Sequence, residues 1–134
     1  MITLTTTKDL EDFCDYARSF SYITIDTEFL REKTYFAKLC LVQLALPGNA
    51  KGNVVLVDPL TEDELSFEPL FKLFTDKGIT KVFHAGRQDL EIFYNMGNII
   101  PEPLFDTQIA AMVCGYGEQV SYEILAKKVL KINL

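Results

Sequence analysis

The chain has 134 residues, enough for one domain around one substantial core, and 49% of them are apolar. With 24% charged residues it reads as a globular chain, which excludes a disordered one. Its net charge of −6 argues against a generic nucleic-acid binder with a basic face. That charge is compatible with an enzyme whose site is built from carboxylates, or with a small acidic binding module.

Thr7 reads as the cap of a first helix, in which Leu10, Phe13, Cys14 and Ala17 recur at helical spacing and form one apolar face. Residues 22–27, a β-branched run, predict a first strand. Residues 38–45 predict a second strand and 54–57 a third, joined as a hairpin through the turn-rich stretch 47–53. Residues 64–75 predict a helix that turns Leu65, Leu70, Phe71 and Phe74 to the core and is stopped by Gly78. Residues 80–84 predict a fourth strand, 87–96 a helix closed by Gly97, and 103–105 a short fifth strand. Asp106 then caps a helix running to about Cys114, and Ser121 caps a last one over 122–130. A leading hairpin sheet followed by strand–helix units gives an α/β fold, a mixed five-stranded sheet flanked by helices.

The longest apolar stretch, residues 39–46, is broken by Gln43 and is too short to span a bilayer, so no membrane partner is expected. Residues 1–8 are polar and lack the basic start and apolar core of a signal peptide. Cys14, Cys40 and Cys114 show no paired spacing, which reads as buried thiols in a reducing cytoplasm.

The first predicted strand ends in Asp26-Thr27-Glu28. Side chains alternate along a strand, so the two carboxylates share a face. Two like charges so close resist ionisation unless a cation lies between them, and Mg²⁺ and Mn²⁺ prefer carboxylate oxygens. Sites in open α/β sheets gather at the carboxyl ends of strands, where this pair lies. Asp89 follows the fourth strand in the first turn of a helix. If the first and fourth strands are neighbours, Asp89 faces Asp26 and Glu28, and three carboxylates converge on one pocket. Such a site suits phosphoryl transfer with two cations about 4 Å apart.

Ile25-Asp26-Thr27-Glu28-Phe29, with Arg31, Thr34-Tyr35, Leu39 and Leu41-Val42-Gln43-Leu44, resembles the first exonuclease motif of the ribonuclease D family. Val82-Phe83-His84-Ala85-Gly86 with Gln88-Asp89-Leu90-Glu91 resembles the second motif. Phe105-Asp106-Thr107-Gln108 and Cys114-Gly115-Tyr116-Gly117 resemble the segment beyond it. The resemblance runs through nearly the whole chain in the family's order.

That family belongs to the DEDD exonucleases. The resemblance therefore implies a ribonuclease H-like fold and removal of nucleotides from 3′ ends of single-stranded RNA, with transfer RNA precursors among the substrates. It implies two divalent metal ions, Mg²⁺ or Mn²⁺. Asp26 would bridge both, with Glu28 holding the one on the water side and Asp89 the other. Phe29 and Leu30 are candidates for contact with the terminal base, and His84 and Gln88 for further substrate contact. Arg31 and Lys33 are candidates for phosphate, or for local charge balance alone.

The family's last motif, Tyr-x-x-x-Asp on a later helix, is not found where it belongs. Residues 1–134 thus read as a catalytic domain cut short before a fourth ligand and a water-orienting tyrosine. An inactive chain is expected, with apolar surface exposed around Leu125, Val129 and Leu130 and self-association through that helix. Tyr22-x-x-x-Asp26 and His84-x-x-x-x-Asp89 have motif spacings, but both aspartates already occupy earlier motifs. Three other readings stay open: a DNA-directed proofreading exonuclease, a non-catalytic fragment, and an acidic module. A phosphate-receiver version of the last would use Asp58, which Pro59 and a hairpin context fit poorly.

Overall fold

The computed structural model describes residues 1–31, 35–61 and 64–134. Lys33 and Thr34 lie outside the described residues. Strand β1 (Ile2–Leu4) leads into α1 (Thr7–Ala17), followed by β2 (Tyr22–Leu30), β3 (Lys38–Ala45) and β4 (Val54–Val57). Next come α2 (Glu68–Thr75), β5 (Thr80–Phe83), α3 (Arg87–Gly97), β6 (Leu104–Asp106), α4 (Thr107–Val113) and α5 (Tyr122–Leu130).

The sheet is mixed and has six strands in the order β1-β4-β3-β2-β5-β6, not the expected five. The added strand is β1, which pairs parallel with β4 from Ile2 opposite Val55 to Leu4 opposite Val57. It is a short edge strand of three residues with one buried side chain, Leu4, so a threonine-rich start hides its alternation. β2, β3 and β4 form an antiparallel meander, while β5 lies parallel to both β2 and β6.

Of the expected boundaries that move, three do so for a clear local reason. Thr6, not Thr7, caps α1, accepting from the Asp9 amide at 3.1 Å. The Thr7 hydroxyl instead accepts from the Ser66 amide at 2.9 Å. That bond holds the chain before α2 in coil, and Pro69 in the first turn starts the helix at Glu68 rather than Glu64. Gly97 is the last residue of α3, and Asn98 takes the left-handed position beyond it, with φ 52°.

The core lies on one face of the sheet. Leu10, Phe13 and Ala17 of α1, Leu70, Leu73 and Phe74 of α2, and Ile92 and Phe93 of α3 cluster with Ile23 and Ile25 of β2 and Val42 and Leu44 of β3. This packing fixes which way β2 faces: Ile23, Ile25 and Thr27 are buried, and Asp26 and Glu28 are exposed on the other face.

The cysteines differ from the expectation. Cys14 is buried, Cys40 half-buried and Cys114 exposed, all as free thiols. Desolvation pushes the Cys14 thiol up to about 12, so it stays protonated and inert. No helix among the described residues is long and apolar enough to cross a membrane.

Candidate active site

β2 and β5 are neighbours, with Tyr22 opposite Thr80 and Thr24 opposite Val82. β5 stops at Phe83, while β2 runs on to Leu30. The turn after β5 therefore brings the first helical turn of α3 against the free length of β2. Asp89, in that turn, is buried and accepts a hydrogen bond from the Thr27 hydroxyl. Thr27 lies between Asp26 and Glu28, with its side chain on the core face of the strand. β2 also carries an irregularity here: Glu28 pairs with Leu41 but Phe29 with Leu39, so Cys40 is the extra residue of a bulge in β3. Bulges bend a strand beside a site and re-aim its side chains.

Burial raises the Asp89 carboxyl above its ordinary range, and the Asp26 charge adds to the rise. The Thr27 hydroxyl opposes both. Asp89 is thus a buried anion within reach of a second anion.

The expected meeting of three carboxylates in one pocket is not what the structure shows. Asp26 lines a cleft of about 400 Å³ on the open face of the sheet, together with Gln43, His84, Thr107 and Tyr122. Glu28 and Asp89 are not among its lining residues; the Asp89 carboxylate is turned to Thr27. Among the described residues, no three His, Cys, Asp or Glu side chains are gathered as they stand into a metal-holding group. The donor set itself fits a hard divalent ion. It is all carboxylate oxygen, and its anions sit close enough for one to disfavour the ionisation of another.

The other candidates divide. Phe29 packs against the core, whereas Leu30 is exposed and, by alternation, shares the face of Asp26 and Glu28. His84 is bonded at both ring nitrogens, Nδ1 to the Thr107 hydroxyl at 2.8 Å and Nε2 to the Val120 carbonyl at 3.0 Å. A ring held this way is poorly placed to act as a general base. Gln88 is exposed at the second position of α3. Arg31 approaches Glu91 of α3 at 3.4 Å, so its charge is already partly matched at the end of β2. Asp58 accepts from the Leu60 amide at 2.9 Å, an ordinary aspartate turn.

Sequence reasoning missed four residues of this site: Thr27, Gln43, Thr107 and Tyr122. Gln43 was legible in principle, since it stands directly opposite Asp26 on β3. Thr27 and Tyr122 depend on contacts between segments far apart in the chain.

A family model described as a 3′-5′ exonuclease matches residues 1–134. The chain belongs to the 3′-5′ exonuclease family. Within this family, the chain is 58% identical over 132 residues to ribonuclease D of Jannaschia sp., an alignment covering 98% of this chain and 34% of that relative. It is 46% identical over 128 residues to ribonuclease D of Bartonella henselae, covering 96% of this chain and 30% of the relative. Among solved structures, Escherichia coli RNase D, described as an exoribonuclease involved in structured RNA processing, matches with a TM-score of 0.87 at 36% identity. That match covers 98% of this chain and 34% of the other. The chain therefore has the ribonuclease H-like fold, and it spans about a third of the length of these relatives.

Proposed function

We propose that the protein carrying this chain is a ribonuclease D-like 3′-5′ exoribonuclease. In this reading it hydrolyses the terminal phosphodiester of single-stranded RNA 3′ ends, including those of transfer RNA precursors, and releases nucleoside monophosphates. The observation that carries the proposal is the corner where β2 overruns β5: Asp26 and Glu28 on one face, and Asp89 buried against Thr27 between them.

In this reading Asp26, Glu28 and Asp89 hold two divalent ions, Mg²⁺ or Mn²⁺. When bound, the ions supply an activated water and stabilise the leaving oxygen. The chain's own groups do the rest. Thr27 holds the Asp89 carboxylate at the strand. Leu30, exposed beside the carboxylates, offers an apolar contact to the terminal base. His84 shapes the cleft while bonded at both nitrogens, and Gln88 is exposed in the first turn of α3 for a polar contact with substrate. Phe29 serves as core support under Leu30 rather than as a second base contact. Val129 and Leu130 are 50% and 62% exposed on α5, which supports an apolar contact there between copies. Analytical ultracentrifugation across concentrations tests that contact, and a strictly monomeric profile contradicts it.

The functional test is degradation of 5′-labelled single-stranded RNA by the whole protein that carries this chain, in Mg²⁺ or Mn²⁺, beside an Asp26→Asn control and a DNA strand of the same sequence; residues 1–134 alone are expected to be inactive or nearly so. Stepwise shortening from the 3′ end, dependent on metal, faster on RNA and lost in the control, is expected. Equal activity in the control contradicts the site. Preference for DNA contradicts the substrate but leaves the chemistry standing.

A further inference from the structure

Asp106 does more than cap α4, and its second task bears on the proposed metal ligand Asp89. Its Oδ1 accepts from the amides of Gln108 at 2.8 Å and Ile109 at 3.4 Å, the bonds of an ordinary N-cap. The same carboxylate also accepts from two amides of a distant segment, Oδ1 from Ala85 at 3.1 Å and Oδ2 from Gly86 at 2.9 Å. A cap needs neither of these.

Ala85 and Gly86 form the turn between β5 and α3. Ala85 stands at φ 53°, a left-handed conformation uncommon for a residue with a Cβ. Gly86 is the N-cap residue of α3 and has no side chain to offer the orphan amides there. The turn is also tight, since a Cβ at Gly86 would lie 2.5 Å from the Phe83 Cβ. The carboxylate that completes this turn thus comes from the end of β6, a different segment.

Asp89 is three residues beyond Gly86 in the first turn of α3, and Thr27 holds it from the other side. We propose that Asp106 is a positioning residue for the Asp89 carboxylate. By holding Ala85 and Gly86 from β6, it sets the direction in which α3 leaves the sheet. Asp89 then meets β2 in one orientation. The inference rests on the reading of Asp89 as a metal ligand.

The test is Mn²⁺ affinity, read by electron paramagnetic resonance of free Mn²⁺, for the wild type, Asp106→Asn and a distant core variant, Leu73→Ala. Asparagine caps a helix as well as aspartate and keeps one acceptor oxygen, but its amide nitrogen cannot accept from Gly86. Asp106→Asn is expected to fold and to bind Mn²⁺ about 10-fold more weakly, the scale seen when a ligand's supporting partner is removed. Leu73→Ala is expected to lose thermal stability and keep wild-type affinity at a temperature where it is folded.

If Asp106→Asn fails to fold, Asp106→Ser keeps a cap oxygen and tests the same loss. Wild-type affinity in a folded Asp106 variant overturns the proposal alone. Absence of Mn²⁺ binding by the wild type overturns the metal reading of Asp89 as well. If both Asp106 variants are unfolded, the residue is needed for folding and the proposal falls.

Discussion

Strand β5 has a buried charge near each end, and the two are treated differently. At its start, the Lys81 ammonium is fully buried and donates to the main-chain carbonyls of Asp76 and of Glu102, the latter at 2.6 Å. Beyond its end, the Asp89 carboxylate is nearly as buried, accepts from Thr27, and feels the like charge of Asp26. Desolvation lowers Lys81 to about 8, and desolvation likewise raises Asp89. Both charges are disfavoured by burial, but only Lys81 is answered wholly by the fold, with the carboxylates of Asp76 and Glu102 adding favourable charge. A buried charge met by main-chain partners tethers segments together. A buried charge beside a second one of the same sign is the arrangement that a cation stabilises.

The contrast can be broken at either end. Replacing Lys81 by methionine removes the donor from the Glu102 carbonyl and leaves the Asp76 carbonyl only the Ile79 amide at 3.4 Å. It should cost about 1–3 kcal/mol in urea unfolding, the scale of hydrogen bonds made by a charged group. An unchanged midpoint would mean that the ammonium's burial cancels its bonds. At the other end, Thr27→Val keeps the shape and removes the hydroxyl from Asp89. About 1–2 kcal/mol of stability should go, on the scale of one hydrogen bond to a charged group. The same variant should weaken Mn²⁺ binding, whereas Lys81→Met should leave it unchanged.

The pH response sharpens the contrast further. Lys81 has its pKa lowered from 10.5 to about 8 in the folded protein, so between those values the unfolded chain binds more protons. Stability contributed by this group therefore rises as pH rises from about 8 to 10.5, and the rise should vanish in Lys81→Met. Asp106 runs the other way. Burial alone would raise it, but the amides of Gly86, Ala85, Gln108 and Ile109 together bring it below 3.8. Its contribution is present above 3.8 and is lost as pH falls through the lowered folded value, so wild type and Asp106→Asn should converge in strong acid. Urea midpoints across pH check both signs.

Much of this was legible in the chain because it depends on local periodicity. The face shared by Asp26 and Glu28 follows from alternation along β2, and the helical reading of residues 122–130 matches α5 residue for residue. Asp89 at the start of a helix after a strand was equally local. What escaped notice depends on distant partners. β1 is too short to show a pattern and exists by pairing with β4. Thr7 looked like a cap because nothing nearby reveals that its hydroxyl is taken by Ser66. Asp106 looked like a cap and is one, but its grip on Ala85 and Gly86 crosses from β6 to the end of β5. Strand order alone implies that the three carboxylates share a pocket, yet Asp89 takes Thr27 as its donor while Asp26 faces the cleft.

The central claim is that the corner of Asp26, Glu28 and Asp89 is built for a divalent cation. The most direct measurement is the melting temperature of the wild type and of Asp89→Asn as Mn²⁺ is raised. A ligand bound only by the folded state adds about 2.7 kcal/mol at 100 times its dissociation constant. A rising, saturating melting temperature for the wild type and a much smaller rise for Asp89→Asn would bear the claim out. An equal response in both proteins, or none in the wild type, would contradict it.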